Sequence, residues 1–340
     1  MKPRRPAPKA FPPLVDAFGR QHTSVRLSVT DRCNIRCTYC MPAGAVKFLP
    51  RDQVLTFEEI ERMVRVFAAL GVNRLRLTGG EPLVRSELPS LIRKLAAVDG
   101  IREVSVTTNG ILLADQAAEL RKAGLSRLNI SLDSLREATF REVARRDGLD
   151  RVLTGIAAAQ AVGFETVRLN AIAMRGLTES EAPDLARFAR ERGLELRFIE
   201  YMPLDAEGGW RRHDVLSGGA VRELIEAEHG PLRPAPRPDR SQPATDYEFV
   251  DGGGRVGFIN PVTQPFCGDC NRLRLTAEGQ VRNCLFSTAE WDARRLLRSG
   301  ASDDELERLI RDSVAAKKPG HGIDAPGFLR PQRAMYQIGG

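Results

Sequence analysis

Apolar side chains recur along this chain with two different periods. Residues 25–29 alternate apolar and polar side chains, which is the pattern of a strand with one buried face. Between residues 60 and 70, apolar side chains recur every three or four positions, which predicts an amphipathic helix. Thr56 and Glu59 have the spacing of a capping box, so we expect this helix to begin directly after Thr56. A strand followed by a helix is therefore the first unit of the fold.

The same unit recurs up to about Met202. Further strands are predicted at residues 74–77, 103–107, 127–131, 166–171 and 195–199. Helices are predicted at residues 88–98, 116–122, 151–162 and 182–192. These units predict an α/β protein whose parallel strands form an incomplete (βα)6 barrel, similar to a TIM barrel with fewer units than the closed form. In such a fold we expect the ligand-binding residues directly after the strands.

The pattern changes after Met202. Residues 231–243 are rich in Pro and Arg and predict an irregular loop. Short antiparallel strands are predicted at residues 247–250, 256–259, 272–275 and 280–283, and a last helix at residues 303–316. We therefore expect three parts: a flexible N-terminal tail at residues 1–18, a partial barrel at residues 19–230, and a smaller C-terminal α+β region at residues 231–340.

Composition limits the partners and the location. The chain has 340 residues, no apolar stretch long enough to span a membrane and no secretory signal in its first dozen residues, so we expect a cytoplasmic protein. The formal net charge is +7, but 44 of the 51 basic residues are Arg, and most alternate with acidic residues along the predicted helices. We interpret this charge as a solvated surface, and we expect neither a nucleic-acid partner nor a membrane partner.

The six cysteines fall into two groups of three, which suits metal binding better than disulfides in a reducing compartment. Cys33, Cys37 and Cys40 follow the first predicted strand with the spacing Cys-x3-Cys-x2-Cys. Three thiolates can hold three irons of a [4Fe–4S] cluster and leave the fourth iron open to another ligand. A structural zinc ion would need a fourth protein ligand, and no His lies nearby in the sequence. The zinc alternative therefore requires a distant residue.

A second motif follows the second predicted strand. Residues 79–82 read Gly-Gly-Glu-Pro. The glycines allow the backbone to approach a ligand closely, and the Glu81 carboxylate can help to orient an ammonium group. Together with the cysteine spacing, this motif resembles the radical S-adenosylmethionine (SAM) superfamily. The resemblance implies that the amino and carboxylate groups of SAM chelate the open iron and that Tyr39 contributes backbone contacts near the adenine.

Cys267, Cys270 and Cys284 form the second group, with the spacing Cys-x2-Cys-x13-Cys. This group can hold a second [4Fe–4S] cluster with one open iron, to which a substrate heteroatom could bind. The alternative is a zinc site completed by Asp269, His213, His229 or His321. Arg272 and Arg274 lie at alternate positions of a predicted strand, so both point to one face. Guanidinium groups bind phosphate oxygens with two donors, so this pair beside an open iron predicts a site for an anionic nucleotide.

From the first cysteine group to the C-terminal Gly339 and Gly340, the chain resembles the GTP 3′,8-cyclases of molybdenum cofactor biosynthesis. In that family a C-terminal Gly-Gly tail reaches into the active site and is needed for catalysis, which implies the same role for these two glycines. The resemblance implies SAM contacts at Tyr39, Gly80, Ser131 and Met202. It implies GTP contacts at Arg26, Arg76, Thr107, Arg168, Arg272, Leu273 and Arg274. Arg168 departs from the family, which usually has Lys there, so the charge is kept but the donor geometry changes.

The resemblance also implies cofactors, partners and a reaction. The cofactors would be two [4Fe–4S] clusters and SAM, and the substrate would be GTP. A 5′-deoxyadenosyl radical would remove the hydrogen from C3′ of GTP, and the ribose radical would attack C8 of guanine to give 3′,8-cyclo-7,8-dihydro-GTP. The implied partners are a reductant protein, a downstream cyclic pyranopterin monophosphate synthase and a second copy of the chain in a homodimer.

Two alternative functions remain at this point. A peptide-modifying radical SAM enzyme would share the first cysteine group, but it usually has more C-terminal cysteines than the three found here. A non-catalytic metal-binding or electron-carrier protein would leave the Gly-Gly-Glu-Pro motif and the arginine pair unexplained. Consumption of SAM by the reduced, reconstituted protein separates this last alternative from an enzyme.

Overall fold

The computed structural model describes residues 11–339, whose strands form one twelve-stranded sheet. In chain order, the strands β1 to β12 are Ser24–Ser28, Arg74–Thr78, Glu103–Thr108, Arg127–Ser131, Thr166–Ala173, Glu195–Glu200, Leu232–Pro234, Thr245–Phe249, Arg255–Ile259, Arg272–Leu275, Gln280–Arg282 and Trp291–Asp292. Their order across the sheet is β12-β11-β10-β1-β2-β3-β4-β5-β6-β9-β8-β7. Every neighbouring pair from β10 through β1–β6 to β9 is parallel. Within the described residues the end strands β12 and β7 do not pair, so the barrel is open, and the predicted incomplete (βα)6 barrel is confirmed.

Most of the helices cover the outer face of the sheet. In chain order, the helices α1 to α10 are Phe57–Ala69, Leu88–Ala96, Leu113–Lys122, Glu137–Ala144, Leu149–Ala161, Thr178–Glu191, Gly218–His229, Ala293–Arg298, Asp303–Ala315 and Met335–Ile338. Helix α1 begins as predicted, because Thr56 Oγ1 accepts from the Glu59 amide at 3.2 Å and Glu59 Oε2 accepts from the Thr56 amide at 2.8 Å. No helix in residues 11–339 is long and apolar enough to cross a membrane.

The two faces of the parallel strands differ sharply in chemistry. Val25, Leu27, Leu75 and Leu77 are fully buried in the main core on the outer face. The alternate side chains of the same strands point to the inner face, and there they are mostly polar or charged. The sequence therefore builds an apolar layer between sheet and helices and leaves the inside of the barrel for ligands.

The C-terminal strands differ from the expectation. β9 pairs with β6 and β10 pairs with β1, both in parallel, whereas antiparallel strands were predicted there. β8 with β9 and β10 with β11 do pair in antiparallel fashion. The apolar pattern of a strand carries no information on the direction of its neighbour, which explains the difference. The C-terminal region thus extends both edges of the barrel sheet.

The expected N-terminal tail is in part packed onto the barrel. Residues 1–10 lie outside the described residues. In the described part, Leu14 is 1% exposed, and its amide donates to the Leu70 carbonyl at 3.2 Å. Asp16 is buried as well. Residues 11–18 are therefore not a flexible tail, because this segment packs against the C-terminal end of α1 and donates hydrogen bonds to it.

Candidate functional site

One cavity lies at the carboxyl ends of the barrel strands, and both cysteine groups line it. Residues of all six barrel strands or of the loops directly after them contribute to its wall. This is the location that a (βα) fold predicts for a ligand. The cysteines are free thiols, and they stand in different parts of the wall. The cavity therefore joins two candidate metal sites.

The loop of the first cysteine group is held by helix α4, which the sequence analysis missed. The amides of Arg36 and Thr38 donate to the carbonyls of Ala144 and Val143 at 2.9 and 3.0 Å, at the end of this helix. The Arg36 guanidinium donates to the Cys33 carbonyl at 2.7 Å. Because a helix end anchors the loop, the three thiols are fixed relative to the barrel before any metal binds.

Burial sets the acidity of the first three thiols. It raises the pKa of Cys33 to about 11 and that of Cys40 to about 12, and it raises the pKa of Cys37 well above its usual range. A thiol in such surroundings becomes a thiolate only when a cation offsets the cost of burying the charge. The chemistry of this donor set therefore fits a cationic metal centre.

The glycines of the Gly-Gly-Glu-Pro motif have a packing role that the sequence analysis did not predict. A Cβ atom on Gly79 would overlap the Thr30 carbonyl, and one on Gly80 would overlap the Arg32 carbonyl. The amides of Gly80 and Glu81 donate to these same carbonyls, each at 2.8 Å. The motif therefore packs against the backbone that leads into Cys33 and forms hydrogen bonds with it.

Glu81 is 1% exposed and uses its carboxylate mainly within the protein. The carboxylate accepts hydrogen bonds from the amides of Leu83 and Asn109 at 2.9 and 2.7 Å and from Thr108 Oγ1 at 2.7 Å. Burial nonetheless raises its pKa to about 7. Asn109 in turn donates to Asn34 Oδ1 at 2.7 Å. Glu81 therefore links the second and third strand ends to the first cysteine loop.

The four residues expected to contact SAM all line the cavity. They are Tyr39, Gly80, Ser131 and Met202. The Tyr39 hydroxyl donates to Asp133 Oδ2 at 2.7 Å, and the other oxygen of this carboxylate accepts from the Ile172 amide at 2.8 Å. Asp133 also lines the cavity, and the sequence analysis missed this contact. Its position directly after β4 was the signal that could have found it.

The second cysteine group has a different electrostatic setting. Arg272 donates to the Cys270 sulfur at 3.3 Å. Burial would raise the pKa of Cys270, but Arg272 and Lys317 outweigh it and lower the pKa to about 6. At least one thiolate is thus favoured here without a metal.

The proposed zinc ligands do not gather at this second group. His213 is exposed beside Asp214, and His229 Nε2 lies 2.8 Å from the Pro183 carbonyl. Asp269 lies 3.6 Å from Arg240, and of the four candidates only His321 is among the described residues lining the cavity. Across residues 11–339, no three His, Cys, Asp or Glu side chains are placed to hold a single metal ion. Each cysteine group in this arrangement is therefore a poor mononuclear zinc site.

Three arginines stand side by side on neighbouring strands, in the wall of the cavity that both cysteine groups line. Arg26 on β1 is directly opposite Arg274 on β10 and Arg76 on β2. Burial and the neighbouring guanidinium groups hold the pKa values of Arg26 and Arg76 well below the usual range of arginine. In the described part of the chain, neither has a carboxylate partner. Such a row of unneutralised charges costs free energy unless an anion binds to it.

Two of the expected GTP contacts do not line the cavity. Arg168 is buried and donates to Glu195 Oε2 at 2.7 Å, so its charge is already neutralised. The side chain of Leu273 is fully buried in the main core, on the opposite face from its neighbours. The remaining expected contacts do line the cavity: Arg26, Arg76, Thr107, Arg272 and Arg274. Arg197, which the sequence analysis missed, lines it as well and lies 3.2 Å from Asp246.

The C-terminal tail, as far as Gly339, lies inside the barrel. The Arg274 guanidinium donates to the carbonyls of Ile338, at 3.2 Å, and of Gly339. Gly339 has a φ of +74°, and a Cβ atom there would overlap the hydroxyls of Ser28 and Thr78. Any other residue at this position would need a strained backbone and a shift of these two side chains. Gly340 lies outside the described residues.

The open barrel, with its Cys-x3-Cys-x2-Cys loop after the first strand, defines a radical SAM protein. Residues 27–189 match the family model described as Radical SAM superfamily, and residues 194–323 match the model described as Molybdenum Cofactor Synthesis C. The chain is 54% identical to the GTP 3′,8-cyclase of Rhodopirellula baltica, over 96% of this chain and 92% of that protein. It is 48% identical to the GTP 3′,8-cyclase of Paenarthrobacter nicotinovorans, over 96% of this chain and 97% of that protein. The chain belongs to the GTP 3′,8-cyclase family, and the predicted family is confirmed.

The fold is also similar to that of SuiB from Streptococcus suis. The crystal structure of SuiB bound to S-adenosylmethionine matches 86% of this chain and 68% of SuiB, with a TM-score of 0.59 and 15% sequence identity. At this level of identity the similarity concerns the fold alone.

Proposed function

We propose that this chain is a radical SAM enzyme that converts GTP to (8S)-3′,8-cyclo-7,8-dihydroguanosine 5′-triphosphate, the first step of molybdenum cofactor biosynthesis. Membership in the GTP 3′,8-cyclase family supports the reaction. The observation that carries the proposal is that the row formed by Arg274, Arg26 and Arg76 lines the same cavity as two groups of three cysteines. This arrangement suits an anionic substrate placed between two metal centres.

The first cysteine group is the proposed ligand set of the cluster that binds SAM. Cys33, Cys37 and Cys40 would supply three thiolates to a [4Fe–4S] cluster, in which each thiolate binds a different iron. Four residues of the cavity wall are the proposed SAM contacts: Tyr39, Gly80, Ser131 and Met202. The Tyr39–Asp133 hydrogen bond would fix the wall against which the adenine lies.

The second cysteine group is the proposed ligand set of a further [4Fe–4S] cluster. Cys267, Cys270 and Cys284 would again leave one iron open, here toward the guanine edge of GTP. Arg272 next to Cys270 would stabilise the negative charge of the cluster and its thiolates. SAM at the first cluster and the open iron of the second cluster would thus both be next to GTP.

The arginine row is the proposed site of the triphosphate. Arg26, Arg76 and Arg274 offer guanidinium forks that suit phosphate oxygens, and an anion would relieve their mutual repulsion. Thr107 would donate its hydroxyl from the end of β3. Arg168 would act on the triphosphate only indirectly. It forms an ion pair with Glu195 and belongs to the charged inner face near Arg76.

The bound cluster and SAM would together supply a 5′-deoxyadenosyl radical after one-electron reduction. The role of the residues of this chain would be to hold the ribose of GTP in place, because a radical transfer fails when the reacting atoms are misplaced by about an ångström. The tail at Gly339 closes the inner face beside Arg274, where it would exclude water from the cyclised nucleotide.

The parts and partners follow from the same assignment. We infer a partial barrel at residues 19–230 that carries the radical chemistry and a C-terminal region at residues 231–340 that carries the second cluster and the tail. The electron would come from a reductant protein. The product would pass to a cyclic pyranopterin monophosphate synthase, and the chain would act as a homodimer.

Anaerobic reconstitution with iron and sulfide tests the proposed function. The protein is then incubated with a reductant, SAM and GTP, and the mixture is analysed for 5′-deoxyadenosine and a cyclised nucleotide. We expect both products in equal amounts. Deoxyadenosine without loss of GTP would keep the radical SAM class and reject the substrate, whereas no deoxyadenosine at all would reject the class.

A further inference from the structure

A buried lysine ties together the backbone on both sides of the second cysteine group. Lys317 is 5% exposed, and its ammonium group donates to the carbonyls of Arg272, at 3.0 Å, and of Asn283. Arg272 follows Cys270 by two residues, and Asn283 directly precedes Cys284. One side chain therefore spans the two segments that carry these cysteines.

The segment around Lys317, residues 313–319, makes further contacts with the same loops. Asn283 Nδ2 donates to the Ser313 carbonyl at 2.8 Å, at the end of helix α9. The Arg20 guanidinium donates to the Lys318 carbonyl at 2.8 Å and to the Pro319 carbonyl at 3.0 Å. We call residues 313–319 the α9 exit segment. It connects the end of a helix to the strands that carry the second cysteine group.

The third cysteine is joined to the α9 exit segment through Arg20. The Arg20 guanidinium also donates to the Cys267 carbonyl at 2.8 Å. Asp16 holds this guanidinium in place with a hydrogen bond of 2.6 Å, and both side chains are buried. Two cations, Lys317 and Arg20, thus connect the backbone beside all three cysteines to one short segment.

The charge of Lys317 is not neutralised by a carboxylate in residues 11–339. Its closest ionisable neighbours of opposite charge are Cys270 and Cys284, while the nearby Arg272 and Arg20 are cations. The C-terminal end of α9 adds a partial negative charge, since the Lys317 amide donates to the Val314 carbonyl at 3.0 Å. A buried ammonium in this position favours negative charge on whatever the cysteines hold, because the low dielectric strengthens the interaction.

We propose that Lys317 is a positioning residue of the second cluster, which fixes the spacing of the Cys270 and Cys284 segments and makes the cluster easier to reduce. This inference rests on the proposed function, in that it requires a cluster at the second cysteine group. A [4Fe–4S] cluster becomes more negative on reduction, so a fixed cation beside it favours the reduced form. Arg20 shares the positioning role through Cys267, but the buried Asp16 carboxylate neutralises its charge.

Three variants separate the hydrogen bonds of Lys317 from its charge. Lys317→Met removes both, Lys317→Gln keeps a donor without the charge, and Lys317→Arg keeps the charge and several donors. Lys318→Met is the matched control, because Lys318 is adjacent and exposed. The readouts are iron and sulfide per chain and an EPR-monitored redox titration of each cluster, none of which needs GTP turnover.

The result expected is specific for the second cluster. Lys317→Met should lose most of the second cluster, and Lys317→Gln should retain it but shift its reduction equilibrium at least tenfold toward the oxidised form, which is about 59 mV for one electron. Lys317→Arg and Lys318→Met should resemble wild type, and the first cluster should be unchanged in all four. If Lys317→Met does not fold, the content and the reduction potential of the second cluster in Lys317→Gln and Lys317→Arg still test the inference.

Two results would overturn the inference, and they are distinguishable from failure of the proposed function. Wild-type protein with only one cluster would reject the proposed function, and the inference with it. Wild-type protein with two clusters, together with Lys317→Gln protein whose second cluster has unchanged content and potential, would reject the role of Lys317 alone.

Discussion

The guanidinium group of Arg274 holds the carbonyls of Ile338 and Gly339 inside the barrel. The same guanidinium stands in the arginine row beside Arg26. One side chain thus contacts both the C-terminal tail and the proposed triphosphate site. We therefore expect the position of the tail and the binding of the nucleotide to be coupled through Arg274.

Gly339→Ala adds only one methyl group, but it should impair the reaction. The methyl would overlap the hydroxyls of Ser28 and Thr78, and the φ of +74° disfavours any residue but glycine. We expect cyclised nucleotide to fall at least tenfold while SAM cleavage persists. The measurement is the ratio of cyclised nucleotide to 5′-deoxyadenosine.

Gly327→Ala is the matched control for the tail variant. Gly327 also has a positive φ, of +83°, but no other atom lies within 4 Å of its Cβ position. It should keep the wild-type product ratio. Deletion of Gly339 and Gly340 should reproduce the Gly339→Ala result, and unchanged turnover after that deletion would remove the role proposed for the tail.

Arg76→Gln should weaken GTP binding more than any change at Arg168. Arg76 has no carboxylate partner among the described residues, whereas Arg168 is paired with Glu195. A hydrogen bond to a charged group contributes about 1.5–3 kcal/mol, so we expect the Kd for GTP to rise about 10- to 100-fold. Calorimetric titration of GTP into the reconstituted enzyme measures this.

Arg168→Lys serves as the comparison, since it keeps a cation beside Glu195. The Kd for GTP should change less than about threefold. Equal losses for the two variants would mean that Arg168 contacts the nucleotide directly, as the family resemblance alone implies.

Glu81→Gln should destabilise the protein even in the absence of metal. The carboxylate accepts from the amides of Leu83 and Asn109, and the NH2 group of Gln would face one of these donors. Leaving a buried donor unpaired costs about 1–3 kcal/mol. Urea unfolding of the metal-free protein measures the loss, with the exposed Glu142→Gln as control. Equal stability of the two variants would show that Glu81 does not hold the strand ends together.

His22 should make the protein sensitive to acid. Its Nε2 lies 3.0 Å from Asp16 Oδ2, and burial with the nearby Lys317 lowers the pKa of His22 to about 4. The imidazole is therefore neutral at pH 7 and donates to the Asp16 carboxylate. The unfolded chain, with a His pKa of about 6.5, binds more protons between pH 6.5 and 4, so stability is present above this range and falls as the pH drops through it.

His22→Gln removes this titration and keeps a donor for Asp16. Between pH 7 and pH 4, the free energy of unfolding of wild type should fall by about 2–3 kcal/mol more than that of the variant. Urea unfolding at several pH values measures the difference. Parallel profiles would contradict the account of His22.

Most of the barrel could be predicted from the sequence because its strands and helices have clear apolar periods. Helix α4 was missed, although its last carbonyls hold the first cysteine loop. The sequence also did not show how far along its strand each residue lies. Arg168 and Asn170 are on the same face of β5, but only Asn170 lines the cavity. Alternation gives the face of a strand, not the distance of a residue from its carboxyl end.

The parts of the candidate site that lie in short motifs could be predicted from the sequence. The parts formed by segments far apart in the chain could not. Both cysteine groups and the pair Arg272 and Arg274 were found from spacing alone. Arg20 and Lys317 could not be found that way, because their contacts with Cys267 and Asn283 join segments far apart in the chain. To predict the complete row of three arginines, one would likewise need the register of β10 against β1, which the sequence does not show.

The central claim is that two three-cysteine sites face one cavity and that each leaves an iron open to a different small molecule. EPR of two reduced variants tests it most directly. One variant lacks Cys33, Cys37 and Cys40, and the other lacks Cys267, Cys270 and Cys284, so each retains a single cluster. We predict that GTP shifts only the spectrum of the first variant and that SAM shifts only the spectrum of the second. Spectra that respond to neither molecule, or variants that hold zinc without inorganic sulfide, would contradict the account.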